Sequence, residues 1–275
     1  MVNDKIPADT ENRHPRERQG ETRLLLQREA SEVETRTAWM GAATRPTPLR
    51  ERRLTLEDVA SADVQDNDLP VGTVEFLRAC AARRGATLPE LGAYPDKLRP
   101  YLRRAHRMGV LGEARCLAAP TFIRPAFAVK AFTGFVFDPA NPDPEHSSQF
   151  QGLSPVLPVW LCEPVAWLCE WRFYIVRGEI TGCGRYDPDG ADEAPEPDRA
   201  TIDAWVRAYG SLAPSGYALD AGVLENGETV LVEVNDGWAL GYYRGTCSPA
   251  DYLHLLWTRW HEMVLSRGNG SIRPG

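Results

Sequence analysis

Two apolar runs, residues 217–224 and 229–234, flank Glu225-Asn226-Gly227-Glu228. Asn-Gly between apolar runs is the strongest short-range signal for a β-hairpin, because the favoured two-residue turn needs φ > 0 at both central positions. A two-residue turn at Asn226-Gly227 pairs Glu225 with Glu228, Val223 with Val230 and Asp220 with Glu233. Directly opposed residues project from one face, with Cβ atoms roughly 4.5–5.5 Å apart. Asn235 follows Glu233 by two, so the strand's period of two puts it on that face as well. Two carboxylates and an amide oxygen thus converge at one end of the hairpin. Like charges in direct opposition destabilise a sheet, so something must offset them. Hard oxygen donors of this kind suit Mg²⁺; a solvated acidic pair on an edge hairpin is the other reading. The register holds only without a β-bulge, since a one-residue slip turns a side chain to the opposite face.

The rest of the chain fits a folded, cytoplasmic protein. It has 275 residues, enough for one large domain or two small ones, with ordinary hydrophobic and charged content. The net charge of −7 does not favour a nucleic-acid partner. No apolar run approaches the roughly 18 residues of a transmembrane helix, and the polar N-terminus carries no signal-peptide pattern. Six cysteines form no C-x-x-C pair and read as free thiols, while five histidines show no zinc-ligand spacing. Of 31 basic residues only Lys5, Lys97 and Lys130 are lysine. Lys130 alone lies in an apolar, strand-like run, where a generic solvated charge is not expected.

Residues 1–58 are rich in Arg, Glu and Thr and lack apolar periodicity, which predicts a disordered tail. Asp68 and Pro70 are start signals for a helix whose stripe runs through Val71, Val74, Leu77 and Cys80 and stops at Gly85. A second helix is expected over 95–108, with Arg99, Arg103, Arg104 and Arg107 on a solvated face. Strands begin near Thr121: 122–125, 128–132, and 135–137 after a Thr133-Gly134 turn. Residues 156–165, interrupted by Pro155, Pro158 and Pro164, suit an edge strand. A hairpin turns at Arg177-Gly178, an amphipathic helix spans 198–209, and Ser248-Pro249 opens the last helix.

In this order, the segments from about 121 to 235 resemble the ATP-grasp superfamily, most often ATP-dependent carboxylate–amine ligases. The acid–acid–Asn set at that family's metal site is matched by Asp220, Glu233 and Asn235. The thirteen-residue gap and the E-x-N step look like those of D-alanine–D-alanine-type ligases. Glu163 and Glu170 stand at the spacing of the acids that begin the adenine-binding segment and hold the ribose. Backbone groups near Pro164 and Val165 would then face adenine. Phe122-Ile123-Arg124-Pro125 resembles the family's F-V-K-P strand, with Arg124 in place of its phosphate lysine and Lys130 six residues later. This Arg-then-Lys order, with Glu170-Trp171-Arg172, is similar to a clade of bacterial and phage proteins. Two departures stand out. Ala218 occupies the position where many relatives place an arginine before the first metal acid, and only a short region precedes the ATP-binding part.

The resemblance implies an α+β chain with antiparallel sheets and packed helices: a disordered tail (1–58), a reduced and mainly helical N-terminal region (59–118), and an ATP-grasp domain (119–268). It implies ATP and Mg²⁺ as cofactors. Asp220, Glu233 and Asn235 would hold the metal, and Arg124 and Lys130 the α/β-phosphates. Arg172 would meet the γ-phosphate, with Arg244 as second choice, and Thr133-Gly134 would close over it. Glu163, Val165 and Glu170 complete the nucleotide set. Arg172 as a strand residue paired with an acid, and Glu163 as a plain edge-strand acid, stay open. The implied activity joins small-molecule or peptide carboxylates to amines through an acylphosphate. A kinase on the same fold and a nucleotide-binding module without turnover are the rival readings.

Overall fold

The computed structural model describes residues 22–265 apart from 29, 31, 91, 115, 128–130, 144–147, 149–150, 188–192 and 194. Three sheets organise it. The first is a parallel sheet of β2 (Arg50–Leu54), β1 (Arg23–Gln27) and β3 (Leu69–Val71), in that order. Helices α1 (Glu32–Ala43) and α2 (Val74–Arg83) pack with it.

This sheet corrects two expectations. Residues 22–58 are ordered structure, not a disordered tail, and the N-terminal region is a small αβ layer, not mainly helical. Leu24, Leu25 and Leu26 are all buried. A central parallel strand is covered on both faces, so it reads as a continuous apolar run without alternation; three leucines among arginines and glutamates are too short to register as one. Asp68 is not a helix start but a buried acid that accepts two hydrogen bonds from Arg23, at 2.8 and 2.7 Å. The helix begins at Val74, where Thr73 caps it by accepting the Phe76 amide at 3.3 Å. Its stripe of Val74, Leu77 and Cys80 is buried as expected. The core under this sheet runs on without a break into Tyr252, Leu255, Leu256 and Trp260 of the C-terminal helix Pro249–Leu265. Leu25→Ala should therefore cost about 2–5 kcal/mol in denaturant unfolding, the usual range for a buried leucine. A cost below about 1 kcal/mol would take β1 out of the core. Deleting residues 1–58 is expected to give aggregate rather than folded protein.

The second sheet is antiparallel, in the order β4 (His106–Val110), β7 (Pro158–Cys162), β5 (Thr121–Pro125), β6 (Phe135–Phe137). The helix expected over 95–108 does not form. A 3₁₀ turn at Arg99–Leu102, containing Pro100, ends at Arg103 in the left-handed region with φ 50°. The chain then extends as β4. That strand covers β7, which is interior and not an edge; Pro158 is tolerated because it is the strand's first residue. β4 also places the start of this sheet before residue 119. The run 128–132 lies partly outside the described residues, and residues 131 and 132 form a bend, not a strand.

The third sheet is antiparallel, in the order β11 (Thr229–Asp236), β10 (Gly216–Val223), β8 (Cys169–Val176), β9 (Glu179–Arg185). β8 and β9 meet at Arg177-Gly178, both at positive φ, which is the tight hairpin turn expected. The helix Arg199–Tyr209, capped by Asp198, buries Ile202, Trp205, Val206 and Tyr209 in the core beneath this sheet. No helix among the described residues is long and apolar enough to cross a membrane.

The β10–β11 hairpin reaches the expected pairing by a different route. Its loop has three residues, with the Leu224 amide bonded to the Glu228 carbonyl at 3.0 Å. Only Gly227 takes positive φ, 79°. A β-bulge then inserts Val232, where the register shifts beside Asp220 and Ala221. Val223 faces Thr229, not Val230, yet Asp220 faces Glu233 as expected. The shorter strand offset at the turn and the extra residue at the bulge cancel.

Candidate nucleotide and metal site

Asp220 on β10 lies between Glu233 on β11 and Arg172 on β8. Arg172 donates to both Asp220 oxygens, Nε at 2.8 Å and Nη2 at 2.7 Å. Its Nη1 donates to the Gly241 carbonyl at 3.0 Å. The pair is nearly dry: Arg172 is 4% exposed and Asp220 0%. The guanidinium lies over Tyr243 and Tyr186, 4.6 and 5.6 Å from the ring centroids, and these two rings stack on each other. Glu233 pairs with Arg124 of β5, whose guanidinium lies over Tyr94. The Asn235 amide nitrogen donates to Asp220 at 3.0 Å and to Glu233 at 2.9 Å. Two arginines and an amide therefore offset the opposed carboxylates. Arg172 adopts the alternative left open in the sequence, a strand arginine paired with an acid, although it also lines the cavity described next.

Burial pushes both carboxyls up. At Glu233 the Arg124 guanidinium, the Asn235 amide and Arg172 outweigh burial and hold the carboxyl low. At Asp220 burial and the neighbouring negative charge leave it raised despite Arg172. Burial also raises Glu170, against a 2.6 Å hydrogen bond donated by the Tyr186 hydroxyl.

Two adjoining cavities meet at this cluster, between the second and third sheets. One, of about 540 Å³, is lined by Arg172, Asn235, Phe132, Trp238 and Tyr243. The other, of about 410 Å³, is lined by Arg104, Phe122, Val165, Trp167, Glu170 and Tyr186. Arg124, Thr133, Gly134 and Glu233 line both. The fold thus gathers Arg124, Thr133, Val165, Glu170, Arg172, Asp220, Glu233 and Asn235. Glu163 stays apart. It is exposed, and its carboxylate accepts the Ala105 amide at 3.3 Å at the β4 edge. Lys130 lies outside the described residues. Arg104, read from the sequence as solvated, instead faces the Phe122 and Trp167 rings and donates to the Tyr94 hydroxyl. Tyr186 and Tyr243 were also missed; aromatic residues on strands look like core until the sheet's open face is known.

The sequence profile of the ATP-grasp domain, family 2 of the Arg-to-Lys clade, matches residues 101–255, more than half of the chain. The chain belongs to this family. Its fold is that of solved ATP-grasp enzymes at low identity. The D-alanine–D-alanine ligase from Bacillus anthracis aligns over 90% of this chain and 100% of its own, with TM-score 0.55 and 12% identity. D-cycloserine synthetase DcsG aligns over 89% and 99%, with TM-score 0.54 and 15% identity. The RimK domain protein ATP-grasp from Sphaerobacter thermophilus aligns over 85% and 99%, with TM-score 0.53 and 16% identity. No curated protein matches the chain with significance.

In this ATP-grasp domain the donor set suits the groups its family implies. The metal-side donors are hard oxygens. The Nε atoms of Arg104 and Arg124 are buried without a hydrogen-bond partner and belong to residues lining the smaller cavity, as fits an anionic ligand. Among the described residues no three His, Cys, Asp or Glu form a metal group by themselves; the set here needs Asn235. Glu163→Gln should leave nucleotide affinity within about twofold, well under the tenfold of 1.4 kcal/mol, because its side chain lines neither cavity. A tenfold loss by calorimetry would restore Glu163 to the site.

Proposed function

We propose that this ATP-grasp domain is an ATP- and Mg²⁺-dependent ligase that joins a carboxylate to an amine. The observation that carries the reading is the meeting of Asp220, Glu233, Asn235, Arg124 and Arg172 where two cavities adjoin. Catalysis of this kind rests on positioning and charge stabilisation, not on a side-chain nucleophile. Trp167, Val165 and Glu170 take the nucleoside end. Arg124 and Lys130 neutralise phosphates, and Thr133-Gly134 lies against both cavities. Mg²⁺, held by Glu233, Asn235 and Asp220, supplies the charge that balances phosphate oxygens. Arg172 holds Asp220 in place for that role. Arg244, exposed and next to Tyr243, is then the first candidate for the γ-phosphate.

In the reaction, a substrate carboxylate oxygen takes the γ-phosphoryl group and ADP leaves. The amine nitrogen then bonds to the acyl carbon, the carbon–oxygen bond to phosphate breaks, and the amine gives up a proton. Hydroxylamine tests this by standing in for the amine. With ATP and a panel of amino-acid carboxylates, a hydroxamate and inorganic phosphate should appear together. ATP consumption with phosphate kept on the product would replace the ligase by a kinase. One observation favours a second reading, a nucleotide-binding module: Arg172 is committed to Asp220, and Ala218 stands where relatives carry an arginine. That reading expects Mg-ATP binding with no ATP consumed under any condition.

A further inference from the structure

A third cavity, of about 320 Å³, holds none of the residues singled out in the sequence as site residues. It lies between α1, the β3–α2 turn and the 237–241 segment, and the C-terminal helix closes it. It shares Trp238, Ala239 and Gly241 with the 540 Å³ cavity, so one turn of chain walls both.

Three buried polar atoms of its lining residues lack a hydrogen-bond partner: Glu34 Oε2, Trp238 Nε1 and Trp260 Nε1. Leaving such groups unmade costs about 1–3 kcal/mol each. The set is one charged acceptor and two neutral donors. Its complement is a ligand with an ammonium group and a carboxylate or carbonyl oxygen. The remaining walls, including Leu69, Val71, Leu77 and Leu256, are aliphatic and suit an apolar side chain. The volume is at the small end for ligand sites, roughly 300–1,000 Å³, and suits a single amino acid better than a peptide.

Glu34 is also tied to the metal-side cluster. Its Oε1 accepts the Tyr242 amide at 3.2 Å. The carbonyl of that same peptide group, from Gly241, accepts Arg172 Nη1 at 3.0 Å. One peptide plane therefore joins Glu34 on α1 to the Arg172–Asp220 pair.

We propose that this cavity binds an apolar α-amino acid, with Glu34 as the anchor for its ammonium group and the Trp238 and Trp260 indoles as donors to its carboxylate. As a substrate assignment this rests on the ligase reading; as a binding site it does not.

The test uses the full chain and calorimetry without nucleotide. The probes are both enantiomers of valine, leucine, isoleucine, methionine and phenylalanine. At least one should bind at one site per chain. Its analogue without the amine (4-methylpentanoate, for leucine) should bind at least tenfold more weakly. Glu34→Gln should weaken the amino acid at least tenfold and leave the Mg-ATP thermal shift unchanged, which also shows that the variant is folded. Trp260→Phe removes one donor and keeps the ring, and should weaken binding as well. Absence of binding by every probe, or binding indifferent to the amine and to Glu34→Gln, would overturn the proposal. Loss of Mg-ATP binding in wild type would count against the ligase reading alone, since the amino-acid titration contains no nucleotide.

Discussion

Asp220→Asn is expected to destabilise the chain by about 3–5 kcal/mol, the range for removing one partner of a buried ion pair. Arg172 has nowhere else to go. Two of its donors engage Asp220, a third engages Gly241, and it is 4% exposed. It cannot shed its proton. Asparagine keeps the shape but turns an N–H group toward a guanidinium donor and leaves the charge unbalanced. Denaturant unfolding of the full chain reads the loss directly; a change below about 1 kcal/mol would mean that water reaches the pair. The converse variant, Arg172→Met, should be pH-dependent in a definite sense. Asp220 is already raised by burial and loses its balancing cation. A carboxyl with a raised folded-state pKa binds its proton more tightly folded than unfolded. Its protonation favours the fold below the ordinary carboxylate value, and that contribution is lost as pH rises through the raised value. Arg172→Met should therefore gain stability relative to wild type on acidification; a flat difference across pH would contradict this.

Glu233→Gln should behave oppositely to Asp220→Asn: small in stability, large in ligand binding. Arg124, its partner, has a side chain 19% exposed and lines both cavities, so it can turn to water when the carboxylate is removed. Relief of repulsion with Asp220 offsets part of the lost pair. The expected net cost is about 1 kcal/mol or less, near that of a partly exposed ion pair. From the sequence alone, where only the like-charge pair is visible, no cost or even a gain is expected; the Arg124 contact changes the sign. The stabilisation by Mg-ATP should disappear. A ligand at a hundred times its Kd stabilises by about 2.7 kcal/mol, so the missing thermal shift is easily read. An undiminished shift in the variant would remove Glu233 from the metal site.

The site was legible where chemistry repeats at fixed spacing, and hidden where it depends on which strands become neighbours. Asp220, Glu233 and Asn235 follow from the hairpin signal and the period of two. Even there the pairing survived because the Val232 bulge cancels the altered turn, a compensation no residue pattern announces. Arg172 lies 48 positions before Asp220 and meets it only because β8 and β10 pair. Arg104 sits in what reads as a charged helix face; Pro100 and the left-handed Arg103 break that helix and turn its arginine toward the Phe122 and Trp167 rings. β1 was missed because a buried parallel strand does not alternate. The helices Arg199–Tyr209 and Pro249–Leu265 were legible because their caps and apolar stripes are local.

The central claim is that the carboxylate pair is a metal site opened by nucleotide. In the structure Asp220 and Glu233 are already balanced by Arg172 and Arg124, so a divalent cation by itself gains little there. Phosphate groups give Arg124 another partner and free Glu233 for the metal. Electron paramagnetic resonance of Mn²⁺, as a substitute for Mg²⁺, measures this directly. Mn²⁺ with the protein alone should keep the signal of the free aqueous ion, and ATP added to that mixture should shift it beyond the signal of Mn-ATP without protein. Tight Mn²⁺ binding in the absence of ATP, or a Mn-ATP signal that the protein leaves unchanged, would contradict the account.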